Sequence, residues 1–225
     1  MMRASALKAP KDDLREEVSE LRTELERLAG ELEEMRSHAA TLESLALEDP
    51  LTGLLNRRGF MRDLSRAIAY RARYDTPIAL LMSDLDRFQP INDTYGHEVG
   101  DRALEHLAGL LRSNIRSSDC LGRLGGDEFA LILWQVDEDT ANAKAASLRA
   151  MVAGTPLQVA GLTLTLSTSI GVAALEAADT PEQALMRADQ AMYRQKAERR
   201  RGAPDADPAA RPSQAMMSGV SWSSR

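Results

Sequence analysis

The sequence predicts an α+β domain, one sheet covered by helices, carried behind a long N-terminal helix that pairs with another copy. Three observations predict it. Between Leu14 and Leu42, apolar residues recur in alternating steps of four and three, the seam of a coiled coil. Beyond Pro50, helix-period segments alternate with short apolar runs, which sets helices against a sheet. Gly125-Gly126 separates two such runs, the mark of an antiparallel hairpin. At 225 residues the chain has room for one core of ordinary domain size, about 100–150 residues, with appendages.

Residues 1–10 read as a flexible N-terminus and 11–46 as a coiled-coil dimerisation stalk. In its heptads Leu14, Leu21, Leu28, Met35 and Leu42 take position d, while Val18, Leu25, Leu32 and Ala39 take a. Leucine-rich d positions favour a parallel dimer. The stripe is too narrow for the core face of a helix packed on its own domain. Gly30 is the one helix breaker and costs about 1 kcal/mol. The seam ends at Glu48, Asp49 and Pro50, since proline lacks an amide donor and biases its predecessor away from helix.

A second unit then reads as a helix over 53–74 and a buried strand over 77–84. A helix over 98–116 follows, entered after Gly96 and Gly100, then a hairpin over 121–134 and a helix over 138–153. Strands within 157–174 and a helix over 181–200, with Pro181 near its start, complete the unit. Phe60, Phe88 and Tyr193 fall at apolar positions and are expected in the core. Residues 201–225 lose all periodicity and turn to Ala, Pro, Ser and Asp, so a disordered tail is expected.

Composition narrows the function. Apolar residues make up 44% and charged residues 28%, which excludes wholesale disorder. No apolar run approaches the ~20 residues needed to cross a bilayer. The first residues lack a secretory signal's apolar middle, and Cys120 is the only cysteine, so a reducing, cytoplasmic location is expected. Residues 11–48 hold 12 acidic and 5 basic side chains, a balance of −7, whereas residues 49–200 hold 20 and 18, a balance of −2. An acidic stalk repels nucleic acid and anionic membranes, so neither is an expected partner. Any phosphate ligand must be small and gripped by specific groups or cations.

Carboxylates suited to that task stand at element ends. Asp84 and Asp86 close an apolar strand, and Gly125-Gly126-Asp127-Glu128-Phe129 forms a tight turn. Mg²⁺ takes hard oxygen ligands and leaves its other positions to water or substrate phosphates. Paired glycines let a ligand approach the backbone, although the pair alone would also fit a plain type I′ hairpin turn.

Further motifs accompany these. The chain contains Asp-Pro-Leu-Thr-Gly-Leu-Leu-Asn-Arg-Arg over 49–58, Asp-Leu-Asp-Arg-Phe over 84–88 and Ile-Asn-Asp-Thr-Tyr-Gly-His-Glu-Val-Gly-Asp over 91–101. Arg-Leu-Gly-Gly-Asp-Glu-Phe over 123–129, Ser-Ile-Gly-Val-Ala over 169–173 and Ala-Asp-Gln-Ala-Met-Tyr over 188–193 follow. In this order and spacing the chain resembles the GGDEF family of diguanylate cyclases over residues 47–200, the expected catalytic domain.

The resemblance implies a palm-like fold of the nucleotidyl-cyclase, ferredoxin-like kind, with an antiparallel-core sheet. It also implies condensation of two GTP into cyclic di-GMP and two pyrophosphates. Carried over by position, Asp84 and Asp127 would hold two Mg²⁺ per site, Mn²⁺ being an alternative, helped by Glu128 and the backbone carbonyl of Leu85. Asn92 and Asp101 match the guanine contacts, their bland alternatives being a turn asparagine and a helix N-cap. Lys196 and Arg200 match the triphosphate pair, although basic residues near a helix C-terminus are also ordinary dipole partners. His97 reads as structural. Arg116 and Asp119 form an Arg-x-x-Asp whose distance from the glycine turn matches the family's product-inhibition site, with Arg149 as a secondary arginine.

Two departures stand out. Gln89-Pro90 replaces the usual lysine after Phe88, removing a positive charge near the expected phosphates. Arg199 replaces the usual glycine near the end of the last helix. Neither touches an expected metal ligand, so an active enzyme is expected, working as a homodimer with a regulatory protein as a partner for the stalk. The residues leave open an effector that binds GTP or cyclic di-GMP without turnover.

Overall fold

The computed structural model describes the backbone of residues 9–45 and 47–202, with side chains described over 17–36 and 47–197. The expected flexible N-terminus and C-terminal tail lie outside the described residues, except for helical residues 9–10 and 201–202. The chain divides into two units, Met1–Ala46 and Leu47–Arg225.

The first unit is helix α1, Ala9–Leu45. Its seam side chains Val18, Leu21, Leu25, Leu28, Leu32 and Met35 leave 45–67% of their surface exposed. Arg27 pairs with Glu24 at 2.6 Å and with Glu31 one turn on. Such exposed intrahelical pairs stabilise a helix by only about 0.2–0.5 kcal/mol each.

The second unit opens with helix α2, Arg57–Tyr74, not at residue 53 as the sequence predicts. Gly53 adopts a left-handed φ of 62°, and Asn56 caps α2 by accepting from the Gly59 amide at 3.0 Å. The sheet has the order β2-β3-β1-β6, with every neighbour antiparallel. Its strands are Ile78–Leu85 (β1), Cys120–Gly125 (β2), Glu128–Trp134 (β3) and Thr168–Ala174 (β6). A separate two-stranded ribbon pairs Leu157–Val159 (β4) with Leu162–Leu164 (β5). The chain is therefore α+β, with an antiparallel sheet between helical layers.

Side-chain alternation divides the core in two. From β1 and β3, Ala79, Leu81, Leu85, Phe129, Leu131 and Leu133 point to one face. There they meet helices α3 (Phe88–Tyr95), α4 (His97–Ser113) and α5 (Glu138–Gly154). Ile78, Leu80, Met82, Ala130 and Ile132 point to the other, against α2 and the last helix, α6, Pro181–Gly202. Phe60 is fully buried and Phe88 packs against the first cluster.

Tyr193 departs from expectation, being 70% exposed. Helix α6 buries Ala184, Ala188 and Met192, a spacing of four, and Tyr193 stands about 100° round from that line. Helix α3 is the one element absent from the sequence-based reading. Arg87 precedes it at a left-handed φ of 61°, and Pro90 sits in its first turn, where amides have no intrahelical partner.

Candidate active site

The same alternation that fills the core places the acidic residues. Asp84 has even parity with Leu80 and Met82, so its side chain lies on the α2/α6 face at the end of β1. The β1–β3 register sets Asp84 opposite Glu128, and Asp127 precedes Glu128 at the hairpin tip. The Leu85 amide, at the end of β1, donates to the Asp127 carbonyl at 3.2 Å and ties the hairpin tip to that strand. Gly126 has φ +50° while Asp127 has no positive φ, so the turn is not type I′. Nothing lies within 4 Å of where a Cβ on Gly125 or Gly126 would stand, which leaves that backbone open to a ligand.

The turn is braced from behind. Arg123 donates through Nε to the Gly126 carbonyl at 2.9 Å and through Nη1 to both Asp49 oxygens, at 3.1 and 3.2 Å. Asp49 also accepts from the Thr52 amide at 2.9 Å and the Thr52 hydroxyl at 2.7 Å. Partial burial pushes the Asp49 carboxyl up, but Thr52 and Arg123 outweigh it and hold it below the usual carboxylate range. The Asp-Pro-Leu-Thr-Gly segment thus supports the glycine turn across 74 residues of sequence.

A close approach delivers Lys196. A Cβ on Gly171 would stand 2.1 Å from the Met192 amide nitrogen and 2.2 Å from the Ala188 carbonyl oxygen, so α6 rests its backbone on β6 there. Gln195 reinforces the seating by accepting from the Ile170 amide at 2.8 Å. Lys196 continues the Ala184, Ala188, Met192 line one turn on, and its Nζ meets Asp84 Oδ1 at 2.6 Å. Asp86, the other strand-end carboxylate, is engaged elsewhere: Ser167 and Ser169 donate their hydroxyls to it at 2.9 and 2.7 Å. Thr168 donates its hydroxyl to the Asp84 carbonyl at 2.8 Å and in turn accepts from Ser83 at 2.7 Å, fixing the strand end.

The field of the site is strongly negative. Burial pushes the Asp84 carboxyl up, with Asp127 and Asp86 adding repulsion and Lys196 opposing them. Glu128 is likewise raised, first by burial, then by Asp189, Asp84 and Asp127, with Arg57 opposing. Asp189 and Arg57 lie inside quoted motifs, but sequence reasoning assigned neither a role.

The donor set is hard oxygen, and a cation already stands against Asp84. Among the described residues no three carboxylate, histidine or cysteine groups converge into a preformed cage. Two carboxylates completed by substrate phosphates is nonetheless the ordinary way Mg²⁺ is held, so the residues fit a divalent cation that arrives with a nucleotide.

Neither bland alternative for Asn92 and Asp101 holds. Asn92 lies within α3, and Asp101 lies in the second turn of α4, past any cap. The Asn92 Oδ1 atom is buried without a hydrogen-bond partner, and a Cβ on Gly100 would stand 1.8 Å from it. A buried acceptor left unpaired costs roughly 1–3 kcal/mol unless a ligand satisfies it. Asp101 and His97 are exposed. Gln89 donates to Asp93 at 2.8 Å. Helix α6 runs past Arg199 to Gly202, and the side chain of Arg200 lies outside the described residues.

Arg116 and Asp119 sit away from these carboxylates, in the turn before β2. Asp119 Oδ2 accepts from the Arg116 amide at 2.9 Å and Oδ1 from the Trp134 amide at 3.1 Å, pinning the turn to the end of β3. Two clefts of about 340 and 410 Å³ meet at this pair. Arg149 lies on α5 and lines neither.

Residues 46–202 match the family described as diguanylate cyclase, GGDEF domain. Diguanylate cyclase DgcP of Pseudomonas aeruginosa is 38% identical over 160 residues, 71% of this chain and 24% of DgcP. The solved coiled coil and GGDEF domain of DgcB from Caulobacter crescentus, in complex with c-di-GMP, aligns with a TM-score of 0.73 at 28% identity, covering 79% of this chain and 95% of that one. Diguanylate cyclase SiaD of Pseudomonas aeruginosa, solved with its activator SiaC, aligns with a TM-score of 0.68 at 30% identity, over 84% of this chain and 73% of SiaD. The chain spans only 24% of the length of DgcP and 37% of that of diguanylate cyclase TpbB of Pseudomonas aeruginosa.

Proposed function

This chain belongs to the GGDEF family of diguanylate cyclases, and from that premise we propose that it condenses two GTP into cyclic di-GMP and two pyrophosphates. The observation that carries the reading is the cross-strand pairing of Asp84 with Glu128 beside Asp127, on the sheet face where Lys196 reaches Asp84. In this reading residues 47–200 form the catalytic domain and residues 11–46 the stalk.

Asp84, Asp127, Glu128 and the Leu85 carbonyl would hold the divalent cations, Mg²⁺ or Mn²⁺. When bound, these supply charge neutralisation at the α-phosphate and a lower pKa for the ribose 3′-hydroxyl. Asn92 and Asp101 offer acceptors to the two donor groups on the Watson–Crick edge of guanine, and the unpaired Asn92 Oδ1 is the atom that gains most. Lys196 exchanges Asp84 for the triphosphate, joined by Arg200. Each 3′-oxygen bonds to the α-phosphorus of the other nucleotide, the bond from that phosphorus to pyrophosphate breaks, and the hydroxyl proton is released.

One protomer carries one nucleotide, so two protomers must face each other. The uncovered seam of α1 supplies that meeting: a parallel coiled coil holds both domains at high effective concentration, which converts an encounter into a near-unimolecular step. A rotation over residues 42–50 then turns the two sites toward or away from each other, and a regulatory protein bound to the acidic stalk would set it. The activator solved with SiaD offers a parallel. Arg116 and Asp119 form a product-inhibition site for cyclic di-GMP.

The test is incubation of the purified chain with GTP and Mg²⁺ followed by nucleotide separation. Cyclic di-GMP formation is expected. Tight nucleotide binding without product would instead identify an effector that binds GTP or cyclic di-GMP, and neither result would leave a structural adaptor.

A further inference from the structure

We propose that Asp86 is a positioning residue, which aims the Leu85 carbonyl at the cation seat by way of the Ser167 and Ser169 hydroxyls and binds no cation itself. The proposal rests on the reading of Asp84, Asp127, Glu128 and the Leu85 carbonyl as that seat. Asp86 is the first residue past β1, and three hydrogen bonds tie it to the start of β6. Its amide donates to the Ser167 carbonyl at 2.9 Å, while its two carboxylate oxygens accept separately from the Ser167 hydroxyl at 2.9 Å and the Ser169 hydroxyl at 2.7 Å. Hydroxyl bonds to a carboxylate are stronger than neutral ones. Arg87 then turns the chain into α3 with a left-handed φ of 61°, so the tie stands where the chain leaves the sheet.

Peptide geometry converts that tie into an orientation. A trans peptide is planar, and its carbonyl points opposite to the amide on its other side. The Asp86 amide is aimed at Ser167, beside β6, so the Leu85 carbonyl points the other way, toward the hairpin that carries Asp127 and Glu128. The preceding peptide agrees. The Leu85 amide reaches the Asp127 carbonyl at 3.2 Å, and the Asp84 carbonyl turns to the opposite edge, where the Thr168 hydroxyl donates to it at 2.8 Å. The Asp86 carboxylate therefore locks the one peptide plane whose oxygen faces the seat. With an oxygen engaged by each serine, it is held on the β6 side and away from the hairpin.

The test is Mn²⁺ affinity, read by electron paramagnetic resonance on the full-length protein saturated with a non-hydrolysable GTP analogue. Asp86→Ala should weaken Mn²⁺ binding about tenfold or more, as the loss of a group that orients a ligand does. The double variant Ser167→Ala, Ser169→Ala should weaken it similarly, although it leaves every carboxylate in place. Asp86→Asn should keep most of the affinity, because one hydroxyl can donate to the amide oxygen while the other turns to accept from the amide nitrogen. Wild-type affinity in Asp86→Ala, or in the double serine variant, overturns the proposal. So does a loss in Asp86→Asn as large as in Asp86→Ala, which would make Asp86 a ligand. Asp84→Asn is the reference: if it too binds Mn²⁺ like the wild type, the seat itself is misread and Asp86 falls with it, whereas a loss there alone leaves the seat standing without Asp86. The serine variant decides the matter should Asp86→Ala fail to fold.

Discussion

Replacing Gly171 by alanine probes the route by which Lys196 is carried to Asp84. The added methyl group would stand 2.1 and 2.2 Å from two backbone atoms in the middle of α6, so no side-chain rotation relieves the clash. Ordinary contact begins near 3.4 Å, and the helix must retreat from β6 by roughly 1.3 Å, the difference between 3.4 and 2.1. Overpacking of this kind costs about 1–3 kcal/mol. For a domain of this size that lowers the melting temperature by roughly 2–12 °C.

Gly171 has no left-handed φ, so the loss is steric rather than conformational. Lys196 follows Met192 by one turn, so the retreat also opens its 2.6 Å contact with Asp84. A misplacement near 1 Å costs on the order of 10²-fold in rate. Gly109, in the exposed interior of α4 with nothing within 4 Å of its Cβ position, is the control. Alanine there should stabilise by about 0.5–1 kcal/mol. Thermal unfolding by circular dichroism and product formation from GTP read both effects. A Gly171→Ala protein that melts at the wild-type temperature and turns over normally would refute the claim that α6 rests on β6 at this point.

Asp84→Asn and Asp127→Asn should each fold normally and lose more than about a hundredfold in turnover, since each removes a carboxylate proposed to hold the divalent cations; a variant retaining half the rate in a nucleotide assay removes that residue from the proposed site. The depressed Asp49 carboxyl contributes stability that is present above its unfolded value near about 3.9 and is lost as pH falls through the lower folded value. Asp49→Asn should therefore be less stable than wild type by about 1–3 kcal/mol at pH 7, the gap narrowing below about pH 4. Denaturant titrations at pH 7 and 3 check this, an unchanged gap counting against it. Leu28→Lys places a charge in the seam and should yield a monomer by light scattering, with turnover falling steeply on dilution and recovering as protein concentration rises; dilution-independent turnover would detach catalysis from the stalk.

Much of the fold was legible along the chain. The heptad seam, the strand ending in Asp84 and the hairpin at Gly125-Gly126 all announce themselves within short windows, because periodicity and turn chemistry are local. Helix α3 is not legible in the sequence, since it is only eight residues long and its Pro90 is tolerated only because the fold starts the first turn at Phe88. The roles of Asp86 and Asp49 were also hidden. Asp86 looks like a candidate ligand in sequence and Asp49 like the end of the seam, yet serine hydroxyls engage one and Arg123 the other.

What the order of residues settles, then, is which elements form and which carboxylates stand at their ends. Whether those carboxylates meet depends on strand register, which aligns Asp84 with Glu128, and on the missing side chain of Gly171, which lets α6 settle and bring up Lys196. Tyr193 makes the same point in reverse: apolar by type, it is exposed because the line of α6 that faces the sheet runs through Met192. No short window contains both partners of such a contact. Lys196 and Asp84 are 112 residues apart, and their meeting is decided by how two faces approach.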